Sequence, residues 1–219
     1  MRKAFPAFIL FCTLHADAQK TKPLFNGFNL KGWYSFLPSK GINNDPEKIF
    51  AVEDGLMHIS GKEFGYIATK KIFTNFHLSL EFKWGIKKYA PRDTAKRDNG
   101  ILFYFSNNDS DKVWPKSIEC QIQEGDTGDF WLIDSTTITV NGVRSIPKDF
   151  SRVIKMKDNE HANGEWNRVE IIAKDEKIIY IVNGTVVNEG NDPSIREGKI
   201  ALQSEGAEIY YRNIEIAEL

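Results

Sequence analysis

The sequence predicts an all-β fold, a single domain built as a sandwich of two antiparallel sheets. Three observations carry this expectation. Phe76, Leu78, Leu80, Phe82 and Trp84 alternate with His77, Ser79, Glu81 and Lys83, the period-two pattern of a strand with one face in a core and one in water. Asn183-Gly184 stands between Tyr180-Ile181-Val182 and Thr185-Val186-Val187, the strongest short hairpin signal a sequence offers. No window keeps a helical period long enough for a core helix, and short β-rich runs recur with Gly, Asn and Asp between them.

The elements follow in chain order. Residues 1–18 read as an export leader. Arg2 and Lys3 give the positive start, Ala4 to Leu14 the apolar centre, and Ala16-Asp17-Ala18 the cleavage signal. The apolar stretch is too short to span a bilayer. The expectation is therefore a mature domain over 19–219, periplasmic or extracellular, with no membrane anchor. Cleavage after Ala18 removes Cys12 and leaves Cys120 as the sole cysteine, so a packed core rather than a disulfide must stabilise the chain. Strands are expected from Ile72 to Trp84, from Gly100 to Ser106 and from Ser117 to Glu124. Two more flank Asp175-Glu176, at Arg168 to Ala173 and Lys177 to Val182. The hairpin partner at Thr185 and closing strands at Gly198 to Leu202 and Glu208 to Ile216 complete the set.

Charge excludes one class of partner. Lys and Arg total 29 against 30 for Asp and Glu, a net charge of −1. A nucleic-acid surface needs a basic face, and none is visible. The densest basic run, Lys87-Lys88 with Arg92, Lys96 and Arg97, is interleaved with Asp93 and Asp98 and reads as a solvated loop.

The chemistry centres on Ser117 to Glu124. Ile118, Cys120 and Ile122 alternate with Glu119, Gln121 and Gln123, so one strand face carries a carboxylate and two amides. Glu124 falls on the opposite face of a regular strand. A one-residue bulge, common beside active sites, would bring it round to Glu119 and assemble the two carboxyls of sugar chemistry. Glu81 and Lys83, expected on the same polar floor, read as either a cross-strand ion pair or site residues. Asp98-Asn99 is a turn or a substrate contact. Trp33, Trp114 and Trp131 are candidates for stacking on a sugar ring, with Trp33 and Trp166 assigned to the core. His58 is a structural histidine or a base. His161 reads as a solvated loop residue, and Gln203 as the more site-like of the polar residues on the closing strands. Cys120, on the apolar face, behaves as a small hydrophobe. No Gly-x-Ser-x-Gly elbow and no phosphate loop occur.

Several motifs resemble one family in order along the chain. Leu24-Phe25-Asn26-Gly27 with Leu30-Lys31-Gly32-Trp33, Gly65-Tyr66-Ile67-Ala68-Thr69, Asp98-Asn99-Gly100-Ile101, Glu119 to Glu124, Gly164-Glu165-Trp166-Asn167 and Gly198 to Gly206 with Arg212-Asn213-Ile214 are similar to the 3-keto-disaccharide hydrolase family. That family is also described as 3-keto-glucoside 1,2-lyase and 3-keto-2-hydroxy-glucal hydratase. The resemblance implies a concanavalin A-like jelly roll and a sugar substrate, an oligosaccharide or 3-keto-glycoside. The chain departs from the family pattern at Asp98, at Glu124, at Tyr180, where many members carry His, and in a longer segment from Gly85 to Arg97.

A 3-keto sugar has an acidic C2 proton, and its C1 substituent lies β to the ketone. A base that takes the proton can expel that substituent, and water can then add back. Such a site needs a base, a proton donor to the leaving oxygen and a holder for the enolate oxygen. The expected roles are Glu119 and Glu124 as the carboxyl pair, Gln121 orienting hydroxyls, and Lys83 or a divalent cation steadying the enolate. Glu81, Asp98, Asn99, Asp126, Trp131, Gln203 and His58 would line the substrate. Glu119, Glu124 and Asp126 offer hard oxygen ligands for such a cation, although their spacing matches no dedicated metal motif. Two alternatives stay open: a retaining glycosidase of laminarinase type and a non-catalytic carbohydrate-binding module.

Overall fold

The computed structural model describes residues 20–106 and 112–219; the expected leader and Cys12 lie outside them. Among the described residues, eighteen strands form two sheets in which every pairing is antiparallel. The ten-stranded sheet runs in the order β12 (Val143–Arg144), β11 (Thr139–Val140), β16 (Thr185–Asn191), β15 (Lys177–Val182), β14 (Asn167–Lys174), β7 (Phe76–Lys88), β18 (Ala207–Glu218), β5 (Leu56–Ile59) and β4 (Phe50–Glu53). Its tenth strand, β1 (Lys22–Pro23), pairs with β18. The eight-stranded sheet runs β13 (Phe150–Val153), β10 (Phe130–Ile133), β9 (Ser117–Gln123), β8 (Asp98–Phe105), β17 (Lys199–Ser204), β6 (Gly65–Thr69), β2 (Trp33–Leu37) and β3 (Gly41–Ile42). No helix among the described residues is long and apolar enough to cross a membrane.

The alternation read from the sequence is the packing. Phe76, Leu78, Leu80, Phe82 and Trp84 are buried, and the residues between them are half-buried on the outer face. Ile118, Cys120 and Ile122 meet them across the core, joined by Ile101, Phe103, Ile171, Tyr180 and Ile209. The Asn183-Gly184 turn has φ of 48° and 80°, the left-handed pair that a tight antiparallel hairpin requires. β7 begins at Phe76 rather than Ile72 and runs on to Lys88. Its added end is held by the Glu208 carboxylate, which accepts from the Ile86 and Lys87 backbone N–H groups at 3.1 and 3.4 Å.

Two tyrosines cross the core to the eight-stranded sheet. Tyr180 of β15 donates its hydroxyl to the Glu119 carbonyl at 3.1 Å. Tyr211 of β18 donates to Asn99 Oδ1 at 2.6 Å, and Asn99 Nδ2 donates to the Gln203 carbonyl at 2.5 Å. A buried hydroxyl needs a partner. Here the partners are backbone and side chain directly beneath the polar outer face of β8, β9 and β17. A second, smaller apolar cluster of Tyr34, Tyr66, Leu102, Phe105, Ile133 and Ala201 packs with the half-buried Phe36 and Trp114.

Candidate active site

Cross-strand partners share a sheet face, so register decides what meets. Glu119 lies opposite Leu102 on one side and Trp131 on the other, Gln121 opposite Gly100, and Gln123 opposite Asp98. Ala201 of β17 lies opposite Leu102, which puts Gln203, two residues on, on the same face, followed by Glu205. The result is a cavity of about 380 Å³ on the outer face of the eight-stranded sheet. Asp98, Glu119, Gln121, Trp131, Gln203 and Glu205 line it from the central strands and their ends. Arg92, Trp114 and Phe150 line it from loops and the edge strand β13. This volume falls within the range of small-ligand sites.

Gly100 makes room for the acid. A Cβ there would collide with Glu119 Oε1 and Gln203 Oε1. Arg92 descends from the loop between β7 and β8. Its guanidinium lies 5.8 Å from the Phe64 ring centre and forms an ion pair with Asp98. Asp98 also accepts from Gln121 Nε2 at 3.2 Å and Gln123 Nε2 at 2.8 Å. Trp114 donates its indole N–H to Glu205 Oε1 at 2.5 Å and packs edge-on to Phe64 and Phe150.

Three buried carboxyls and one guanidinium cannot all ionise freely. Burial, then the neighbouring Glu205 and Asp98, push the Glu119 carboxyl well above the usual range. Burial and the Asp98 charge push Glu205 up to about 7, against the pull of Trp114 and Arg92. Asp98 is raised by its burial, with Arg92 and Gln123 opposing. Burial and acidic neighbours thus favour the protonated form of Glu119, while Glu205, held near neutrality, is poised to give or take a proton. Two carboxyls whose surroundings set different proton affinities are the raw material of acid–base catalysis.

The cavity also holds unsatisfied polar atoms. Among the described residues, four buried side-chain atoms find no hydrogen-bond partner: Trp84 Nε1, Gln121 Oε1, Trp131 Nε1 and Gln203 Oε1. The last three belong to residues that line this cavity. Buried polar groups are ordinarily bonded, so one indole donor and two amide acceptors in this cavity are open to hydrogen bonding.

Other expected site residues lie elsewhere. β9 pairs without a bulge, so Glu124 stays off the Glu119 face. Its carboxylate accepts from the Arg97 backbone N–H at 3.1 Å and from Asn163 Nδ2, and these donors hold it below the usual range despite partial burial. Asp126 is paired with Lys96 at 2.9 Å and Arg152 at 3.1 Å. Glu119, Glu124 and Asp126 thus form no joint cation site, and no cluster of three or more His, Cys, Asp or Glu suited to a metal occurs among the described residues. Glu81 and Lys83 belong to the ten-stranded sheet, with the core between them and Glu119. Glu81 bonds Arg212 at 2.7 Å, and the Lys83 ammonium lies 5.1 Å from the Trp166 ring centre. That ring is half-buried beneath Arg212 as well, not in the core as expected; Trp33 is in the core. His58 also belongs to the ten-stranded sheet, between Glu53 at 3.1 Å and Glu208 at 3.3 Å and stacked on Tyr210. Asn99 faces the core, one position out of phase with Asp98.

Glu205, Arg92 and Phe150 were not singled out from the sequence. The signal for Glu205 was present, since Ala201, Gln203 and Glu205 keep period two. Arg92 was hidden inside a run that reads as solvated, and Phe150 sits on a four-residue edge strand with no strong pattern.

Comparison with known proteins agrees with this architecture. A structure from Parabacteroides distasonis, provisionally named a glycosyl hydrolase, superposes with a TM-score of 0.64 at 20% identity, covering 91% of this chain and 94% of that one. A Bacillus licheniformis β-glucanase gives 0.54 at 12% identity over 92% and 98% of the two chains. The carbohydrate-binding module CBM66 of Bacillus subtilis gives 0.54 at 12% identity over 86% and 97%. These likenesses show the concanavalin A-like jelly-roll fold. No curated protein matches the chain. The model of the 3-keto-alpha-glucoside-1,2-lyase-like domain matches residues 20–217, and with essentially the whole described chain inside that match, this protein belongs to the 3-keto-alpha-glucoside-1,2-lyase-like family of carbohydrate-active domains.

Proposed function

We propose that this protein is an exported enzyme that cleaves 3-keto-glycosides by elimination and hydration in the cavity on the eight-stranded sheet. The observation that carries the reading is the pairing, in one cavity, of Glu119, whose burial favours its protonated form, with a Glu205 held near neutrality, beside three unpartnered polar atoms of described residues. Glu205 takes the C2 proton, and the C–H electron pair moves into a C2–C3 enolate. The enolate collapses to restore the ketone, the C1–O bond breaks, and Glu119 gives its proton to the departing oxygen. Water then adds across the C1–C2 double bond, hydroxyl to C1 and proton to C2, which completes net hydrolysis. Gln121, Gln203 and Trp131 bond the ring hydroxyls, and Trp114 and Phe150 supply apolar contact to the sugar faces or the aglycone.

The test is turnover of a 3-keto-glucoside beside its unoxidised parent. Cleavage of the keto substrate alone is expected. Cleavage of the parent would instead indicate an ordinary glycosidase, and binding without turnover a carbohydrate-binding module. Export is tested by cell fractionation with the leader intact and with residues 1–18 deleted.

A further inference from the structure

We infer that Arg92 is a catalytic residue, the cation that holds the 3-keto oxygen as negative charge develops on it; this rests on the elimination reading above. The chemistry demands such a group, because taking the C2 proton leaves an enolate whose charge resides largely on oxygen. Lys83, the sequence-based candidate, is on the other sheet. Among the described residues that line the cavity, Arg92 is the one cationic side chain.

Its placement is built rather than incidental. The Arg92 backbone N–H donates to the Tyr89 carbonyl at 2.9 Å, and the Tyr89 N–H donates to the Gly206 carbonyl at 2.8 Å. The loop is thereby fastened to the residue next to Glu205. At Gly206 an added Cβ would come within 3.0 Å of Arg92 Cβ, so this glycine keeps the loop close. The guanidinium rests over Phe64, a seat that favours a cation. Asp98 takes its NH1, and Asp98 is itself fixed by Gln121 and Gln123. A guanidinium carries five N–H donors. Asp98 is its hydrogen-bond acceptor among the described residues, so donors remain for a substrate oxygen. The arrangement is a planar donor held against rotation by a carboxylate, which suits a developing oxyanion better than a free ammonium would. In the reaction Arg92 neither gains nor loses a proton. It bonds O3 as the C2–H pair shifts toward it and releases O3 when the ketone re-forms.

The experiment compares wild type, Arg92→Ala and Arg92→Lys on a 3-keto-glucoside, with melting temperature as the fold control. Removal of one such donor is expected to lower kcat by roughly 10²–10³-fold, and added guanidinium ion is expected to restore a good part of the loss in Arg92→Ala. Binding gives an independent readout. Arg92→Ala should weaken 1,5-anhydro-3-keto-glucitol, which has no leaving group, and leave 1,5-anhydroglucitol, which has no ketone, unchanged. Equal weakening of both ligands, or a folded Arg92→Ala enzyme with kcat near wild type, would overturn the inference. If Arg92→Ala does not fold, Arg92→Lys carries the test: retention of full kcat overturns the role. Wild-type inactivity on the keto substrate would instead remove the elimination reading itself, which keeps the two failures apart.

Discussion

Replacing Glu205 by Gln should make the protein more stable and less active, and the stability gain should depend on pH. In the folded state the Glu205 carboxyl is pushed from its ordinary 4.5 up to about 7. The folded protein therefore holds this proton more tightly than the unfolded chain does. Between these two values the folded state binds more protons than the unfolded one, so stability falls as pH rises through that window. At 1.36 kcal/mol per tenfold change in affinity, the loss by pH 8 comes to ~3 kcal/mol. Gln is neutral at every pH, and its amide oxygen can still accept from Trp114. It should abolish this penalty while keeping the bond. For a chain of this size ~3 kcal/mol corresponds to roughly 6–12 °C in Tm. Scanning calorimetry at pH 8 should show Glu205→Gln melting above wild type by that margin, and at pH 4.5 the two should nearly coincide. A difference that does not change with pH, or a variant less stable at pH 8, would refute the buried-carboxyl argument. Turnover should fall steeply at pH 8, because Gln cannot take a proton, and the difference should shrink at pH 4.5, where Glu205 of the wild type is itself protonated.

Four further outcomes are expected. The pH profile of kcat/KM should rise with pH through about 7 as Glu205 ionises, and Asp98→Asn should move that rise to lower pH, because it removes a negative charge that raises Glu205. Gly100→Ala, whose methyl would be driven into Glu119 and Gln203, should cost about 1–3 kcal/mol in denaturant titrations and suppress turnover. Trp131→Phe removes one unpartnered donor from the cavity and should weaken sugar binding by roughly tenfold in calorimetric titration, in line with ~1–1.5 kcal/mol for one hydrogen bond. Lys83→Met, on the opposite sheet, should leave kcat/KM within about twofold and stability within ~0.5 kcal/mol, as is usual for surface substitutions.

The fold was legible because its signal is local. The alternation at Phe76 to Trp84 and at Ile118 to Ile122, together with the Asn183-Gly184 turn, fixes which side chains enter a core. The same alternation put Glu119, Gln121 and Gln123 on one face, and the structure adds Asp98, Gln203 and Trp131 to it. What alternation does not encode is which sheet a strand joins. Glu81 and Lys83 carry the same polar pattern as Glu119, yet β7 and β9 lie on opposite sides of the core, and nothing in either segment reports that. The proposed bulge before Glu124 was a second such gap, since pairing with β8 keeps β9 regular. The acidic partner that does approach Glu119, Glu205, arrives from just past the end of β17, more than eighty residues later. Arg92 was obscured for a different reason: a loop rich in both charge signs has the composition of a solvated segment whether or not one of its arginines turns inward.

The tyrosines that cross the core give the molecule two grades of tolerance to change. Tyr180 and Tyr211 tie β9 and β8 through the interior to the opposite sheet, so the bed on which Glu119 and Gln121 sit is clamped from below. Trp114 and Phe150, by contrast, reach the cavity from a loop and from the edge strand β13. Sequence drift at those two positions can reshape the mouth of the cavity without moving Glu119 or Arg92, and a laboratory library confined to them would vary which ligands enter while the buried Glu119 stays in place.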